Sequence, residues 1–326
     1  MRLSKKEMKL LACIELQAGL PLREIQRQCG LQIHTIRYFL NKLRLKGVVS
    51  RRAPLIDMSK LGYVHYTLFF SLSAERERQK ARLVEFLMKA PLVTWIFELG
   101  GDFRYGVSMS AQHISEVTKF LDLLASKFGN IFFDKLLSVQ SQYLYFGKRY
   151  LAQERYVKKP VAFDISQRKV DIDEQDEKIL TALANEQYET VTELAEKIGI
   201  PMATLERRRR LLEEKGIISG YFLWIDTQLI GMSSYTILIY MRGIDIELRE
   251  RLVKFSESEP RVVYFISCIG QWDFELGIEV PSARDVTQIT EKLYDLFPGE
   301  IRTLKVVPIL NYLKFKSYKV EARAVE

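Results

Sequence analysis

The chain has 326 residues, 48% of them hydrophobic and 28% charged, which excludes a disordered protein and leaves material for at least two cores. Its net charge of +8 favours a polyanionic partner. No apolar run approaches the ~20 residues of a membrane span, no signal-peptide segment follows the amino terminus, and Cys13, Cys29 and Cys268 are too scattered for a disulfide framework or a zinc site; no membrane partner and a cytoplasmic location are expected.

In chain order, residues 4–18 read as an amphipathic helix with Met8, Leu11, Ile14 and Ala18 on one side and a Ser4-x-x-Glu7 cap at its start. Pro21 opens a second helix carrying Leu22, Ile25 and Cys29, and Gly30 ends it. A third runs from about Ile33 to Lys46, with Ile33, Ile36, Leu40 and Leu43 inward and His34, Arg37, Tyr38 and Asn41 outward. Val48 to Ile56 is a strand-like link, with an interruption expected at Pro54.

After Gly62 the period changes from helical to alternating. Strands are expected at 63–72, 93–99, 103–109 and 136–145, and helices at 75–89 and 113–128. The order β-α-β-β-α-β describes a ferredoxin-like α+β domain with helices on one face of an antiparallel sheet. Yet residues 63–70 are apolar on both faces. A sheet covered on one face only should show one polar face, so the bare face is expected to pack on a second sheet. Residues 146–170 read as a basic connector containing Arg155, Lys158, Lys159, Arg168 and Lys169.

The second half repeats the first. Gly199, Gly216, Asp226 and Gly231 each lie 169 positions after Gly30, Gly47, Asp57 and Gly62, and Asp173-x-x-Asp176 follows Ser4-x-x-Glu7 at the same offset. This is an internal duplication. Thr190 and Glu193 are expected to cap a short helix ending at Gly199, and Pro201 opens a longer one, Met202 to Lys215. Leu205 and Leu212 face its core, with Arg208 and Arg209 on the border and Arg207 and Arg210 outward. A short helix, a glycine turn and a longer basic helix is a helix-turn-helix layout, whose second helix lies in the DNA major groove. A second ferredoxin-like unit follows. The expected division is helix-turn-helix at 1–55 and 171–225, ferredoxin-like at 56–150 and 226–326, and a linker at 151–170. The two helix-turn-helix units differ in charge: residues 1–60 hold 13 basic and 4 acidic residues, and residues 171–226 hold 7 and 13.

These residues resemble the Lrp/AsnC (feast/famine) transcriptional regulators. The resemblance rests on DEQDEKILTALANE from Asp173, the stretch LAEKIGIPMATLERRRRLLEEKGIISGYFLWID, Gly270 with Asp273-Phe274, and FPGEIRTLKVVPIL. The first copy is more divergent, with Phe39 in place of Arg208 and Arg44 in place of Glu213. Nearly the whole chain is covered, as two fused subunits. The resemblance implies winged-type helix-turn-helix units binding double-stranded DNA, sheets paired back to back and homo-oligomers of dimers. It also implies an amino-acid-like effector near the Gly-x-x-Asp turn, which makes Gly270 and Asp273, and Gly101 and Asp102, effector candidates.

DNA-contact candidates are His34, Thr35, Arg37, Tyr38, Asn41 and Lys42 in the first copy, and Met202, Ala203, Thr204, Arg207 and Arg210 in the second. Arg pairs with guanine and phosphate and Asn with adenine. His65 and His113 read as structural. No metal-ligand spacing, phosphate loop or nucleophile motif is present, so no cofactor, metal or catalytic residue is expected and the chain is expected not to be an enzyme. Two alternatives stand beside this. Siroheme decarboxylases look like this family in fold, but no matching haem-facing histidine and arginine pattern is evident. An assembly or sensor protein without DNA binding is the other, motivated by the acidic second unit.

Overall fold

Apolar spacing of three and four residues becomes helix in the first fifty positions, and alternation becomes strand after them. The computed structural model describes residues 3–73, 78–129, 132–152, 160–186, 188 and 190–318. The first unit holds helices α1 (Lys5–Ile14), α2 (Leu22–Cys29) and α3 (Ile33–Leu45). Ser4 and Glu7 form the reciprocal cap of α1. This helix ends at Ile14 rather than Ala18: Glu15 still bonds back to Leu11 as its cap, but Gln17 tightens onto Ile14 and bridges to Tyr221. The strand β1 (Val49–Ile56) follows and runs through Pro54. The expected interruption does not occur. Its ribbon has two strands only, so the missing proline N–H can face the unpaired side.

The first sheet domain has β2 (Val64–Leu72), α4 (Lys80–Lys89), β3 (Val93–Leu99), β4 (Tyr105–Ala111), α5 (Ile114–Phe128) and β5 (Phe132–Tyr145). The start expected for α4 at Glu75, and Arg155, Lys158 and Lys159 of the connector, lie outside the described residues. Within the connector, β6 (Val161–Asp164) pairs with the end of β5, so that stretch belongs to the sheet.

The order then repeats: α6 (Glu174–Asn185), α7 (Val191–Ile198), α8 (Met202–Glu214), β7 (Ile218–Ile225), β8 (Ser233–Met241), α9 (Ile246–Ser258), β9 (Val262–Gly270), β10 (Phe274–Val280), α10 (Ala283–Leu296) and β11 (Ile301–Phe315). Asp173 caps α6 by accepting from Asp176 N at 2.8 Å, and Thr190 caps α7 by accepting from Glu193 N at 3.2 Å. The architecture is a tandem pair of helix-turn-helix and ferredoxin-like units.

Two devices join the halves. First, β1 and β7 pair antiparallel, and each strand serves the other unit's core. Ile56 packs with Ile179, Leu183 and Leu212, while Ile225 packs with Leu11 and Leu43. Second, the long strands β5 and β11 each serve two sheets. β5 pairs with β2 over its first part and with β9 over its second, and β11 does the same with β8 and then β3. Among the described residues the antiparallel ring β2-β4-β3-β11-β8-β10-β9-β5 closes back on β2, with β6 alongside.

Helices α4 and α5 cover one half of this barrel through Leu83, Leu87, Phe120 and Leu124, and α9 and α10 cover the other through Leu252, Ile289 and Leu293. The bare faces therefore point inward at one another. At one end they form a dense plug: Phe69 stacks on Trp272 with ring centroids 5.3 Å apart, among Phe103, Leu238 and Ile266. At the other end the inward side chains are partly polar and leave space. The faces do not simply shield one another as two apolar surfaces.

Candidate nucleic-acid interface and barrel cavity

The third helix of each helix-turn-helix begins after a tight exit in which Gly30 and Gly199 adopt left-handed backbone, with φ of 66° and 64°. On α3 the expected outward residues His34, Arg37, Tyr38 and Asn41 are exposed, with Thr35 half-buried beneath them. Lys42 behaves differently. Its Nζ lies 2.7 Å from Glu7 Oε1, a carboxylate 2% exposed, so it ties α3 to α1 rather than standing free for a phosphate. Burial pushes the Glu7 carboxyl up, but the bonds from Lys42 and Ser4 hold it below its ordinary range.

On α8, Met202, Ala203, Arg207 and Arg210 are exposed and Thr204 is half-buried. Arg208 turns back to Asp173 and Asp176, at 2.8 and 2.7 Å. Asp176 lies 169 positions after Glu7, so each copy braces its third helix against the same acidic position of its first. The cation comes from a different turn in each: Lys42 in one, Arg208 in the other. Arg209 reaches Glu213 at 3.7 Å.

The second candidate site is a cavity of about 370 Å³ inside the barrel, between the plug and the β1–β7 ribbon. Its walls include Trp95, Phe97, Tyr143, Tyr264, Trp224 and Tyr312, and its polar groups include His65, Thr67, Gln140, Glu275, Glu279 and Lys148. Glu275 is 3% exposed. Its Oε1 accepts from Trp272 Nε1 at 2.9 Å and Cys268 Sγ at 3.5 Å. Burial pushes this carboxyl up to about 7 against those two bonds. His65 Nδ1 lies 2.9 Å from Ser110 Oγ, and burial pushes the imidazole down to about 4, so it is neutral near pH 7. The histidine read as structural thus also lines a wall.

A buried ionic chain leads from the cavity to the first helix-turn-helix. Lys148 Nζ bonds Glu279 Oε1 at 2.6 Å, with side chains 10% and 6% exposed, and Tyr150 donates to the other Glu279 oxygen at 2.5 Å. The backbone N–H of Lys148 and the phenol of Tyr145 both donate to Glu15, at 2.9 and 2.7 Å, just past the end of α1. Burial raises the Glu15 carboxyl, with Lys148 and Tyr145 opposing. The second copy has Ala184 at the position of Glu15. None of these charged groups is singled out by motif spacing. Glu275 and Glu279 do leave one signal, two carboxylates at alternating positions in the otherwise apolar strand FELGIEV.

The four effector candidates sit away from the cavity wall, near the plug. Asp273 accepts from Met241 N at 2.6 Å, which is a capping task, while Asp102 is exposed and lies 3.6 Å from Lys305. The Tyr240 phenol is raised chiefly by burial, and both carboxylates add to the shift, which places the two turns around one ring. Gly101 is in the first turn and Gly270 ends β9 beside the second, with φ of 78° and 149°. Among the described residues no group of three metal-ligating side chains occurs and no helix is long and apolar enough to cross a membrane.

Comparison with known proteins bears on both sites. A winged helix-turn-helix DNA-binding family matches residues 172–219. The HTH-type transcriptional regulator FL11 of Pyrococcus horikoshii is 30% identical over 124 residues, covering 38% of this chain and 81% of the regulator. The HTH-type transcriptional regulator LrpA of the same organism is 38% identical over 90 residues, covering 26% of this chain and 61% of the regulator. Over the whole chain, the crystal structure of the siroheme decarboxylase NirDL has the same fold, with a TM-score of 0.62 and 14% identity, covering 97% of this chain and 94% of that one. The expectation that the chain is not an enzyme is therefore corrected. Its full two-unit architecture is that of a known enzyme, while its sequence relatives are regulators, and a fold shared at 14% identity leaves no motif for a sequence search to find.

Proposed function

Because the chain belongs to the Lrp/AsnC family of helix-turn-helix regulators, we propose that it binds double-stranded DNA with both of its units, each reading one half of an imperfect palindrome. The observation that carries this is the β1–β7 ribbon, which joins the two units through a shared antiparallel pair while α3 and α8 keep their outward faces exposed. Paired recognition helices of this kind read half-sites about one DNA turn, ~34 Å, or a multiple apart. Arg37, Asn41, His34 and Tyr38 contact DNA from the first unit, and Arg207 and Arg210 with Met202, Ala203 and Thr204 from the second. The basic first unit carries most of the salt-sensitive affinity, since each neutralised phosphate contributes about one unit to the slope of log K against log salt.

Fluorescence titration of labelled duplex tests this. Arg37→Ala/Asn41→Ala weakens binding at least about tenfold, as for loss of one good base contact, and Arg207→Ala/Arg210→Ala weakens it less. If neither pair changes affinity, the helices are not the DNA-reading surface. An amino-acid-like effector near Asp102 and Asp273 and association of further chains complete the proposal. Sedimentation with and without free amino acids measures both.

One observation favours a second reading. The barrel encloses a small-molecule space in the fold of an enzyme, so the chain binds or transforms a ligand there. The residues present do not fit a macrocycle bearing several carboxylates. Among the described lining residues there is no arginine, and of Lys148 and Lys316 the first is already bonded to Glu279. Titration with iron uroporphyrin is expected to leave the Soret band unmoved, and a shift would restore the macrocycle as ligand.

A further inference from the structure

The cavity has a chemistry of its own, independent of DNA binding. Its volume of about 370 Å³ is at the small end of the range for small-molecule sites, roughly 300–1,000 Å³. Two aromatic walls bound it. On one, Tyr143 and Tyr264 lie with ring centroids 5.9 Å apart and planes 26° from parallel; on the other, Phe97 and Tyr312 meet edge to face at 5.5 Å. Such rings present a negative π face to a cation.

The ionisable groups point the same way. Lys148 and Glu279 neutralise one another, and the carboxylate of Asp226 accepts from Gln228 N and Leu229 N. Glu275 is left. Both of its bonds go to Oε1, and among the described residues Oε2 accepts none. No basic group acts on its carboxyl; Cys268 and Tyr264 on β9 and Tyr143 on β5 are the titratable groups it interacts with. A buried carboxylate without a cation is costly unless a partner arrives.

We propose that the barrel cavity binds a small planar aromatic amine, its ring held between the tyrosine and phenylalanine walls and its ammonium group on Glu275. The cation donates to the unused Oε2 and replaces the absent basic partner. Binding therefore favours the ionised carboxylate and releases protons near pH 7, where unliganded Glu275 is partly protonated.

Isothermal titration calorimetry on the full chain tests this with a matched pair of probes, tryptamine and indole-3-acetate, which share a ring and differ in charge, with tyramine as a second amine. Tryptamine or tyramine is expected to bind at least about tenfold more tightly than indole-3-acetate, as for one charge-assisted hydrogen bond. The apparent enthalpy at pH 7 should vary with buffer ionisation enthalpy, reporting proton release. Glu275→Gln, which keeps an oxygen for Trp272 Nε1, should abolish both the preference and the proton release, with thermal unfolding showing that the variant is folded. Tighter binding of indole-3-acetate, failure of both amines to bind at millimolar concentration, or unchanged preference in E275Q overturns the proposal. DNA affinity measured on the same samples keeps this outcome separate from that of the DNA-binding reading.

Discussion

The two helix-turn-helix units share a backbone and almost nothing of their surface. Both cap their first helix with an acidic or hydroxyl residue, turn at a left-handed glycine and brace the third helix on the same acidic position, yet one uses Lys42 and the other Arg208. One unit is strongly basic and the other acidic. Among the described residues, the first meets the barrel through buried hydrogen bonds from Tyr145 and Lys148 to Glu15, and the second through Phe222 and Trp224 against Phe315. The difference shows what a duplication must keep and what it is free to change. Apolar spacing and glycine turns are constrained by packing and backbone geometry. Exposed charges contribute little to stability, so the two surfaces are free to diverge, as the basic first unit and the acidic second unit have.

The sharpest way to break this comparison is at the ionic link itself. Lys148→Met leaves Glu279 buried without its cation and is expected to cost about 3–5 kcal/mol in urea unfolding. The double variant Lys148→Met/Glu279→Gln should recover part of that loss, because no uncompensated charge remains. A double-mutant cycle showing additive effects would mean that the pair is not coupled.

A smaller effect is expected at two glycines that occupy the same place in the two sheets. A Cβ on Gly277 would lie 1.9 Å from the Tyr264 ring, while one on Gly106 would lie 2.8 Å from the Phe69 ring. Gly277→Ala forces the cavity wall aside and should cost about 3 kcal/mol, with Gly106→Ala nearer about 1 kcal/mol. Equal losses would show that the two halves of the barrel yield alike.

The mildest test is pH. His65 belongs to the first sheet and Glu275 to the second, and they act in opposite senses. His65 is lowered from 6.5 to about 4 on folding, so its contribution is present above pH 6.5 and lost as pH falls toward 4. Glu275 is raised from 4.5 to about 7, so its contribution is present below pH 4.5 and lost as pH rises toward 7. Across the shared window the two slopes oppose, and wild-type stability should change little. In E275Q the opposing slope of Glu275 is removed, and unfolding midpoints should rise more steeply from pH 4.5 to 6.5 than in the wild type. A flat profile in that variant counts against a buried neutral His65.

Much of this molecule is legible in its residues read in order. The 169-residue offset, the capping residues, the glycine exits and the switch from helical to alternating period determine both helix-turn-helix units and both βαββαβ orders. The doubly apolar strand at 63–70 also implies that the sheets meet. These are local matters of backbone preference and side-chain period. Tertiary structure alone decided that β5 and β11 would each cross from one sheet to the other and close a barrel. It alone paired Lys42 with the buried Glu7, and it alone brought Glu275, His65 and the aromatic walls around one space. Those side chains lie far apart in sequence on strands from both copies. Their chemistry depends on what burial does to each charge, and burial is a property of the assembled fold.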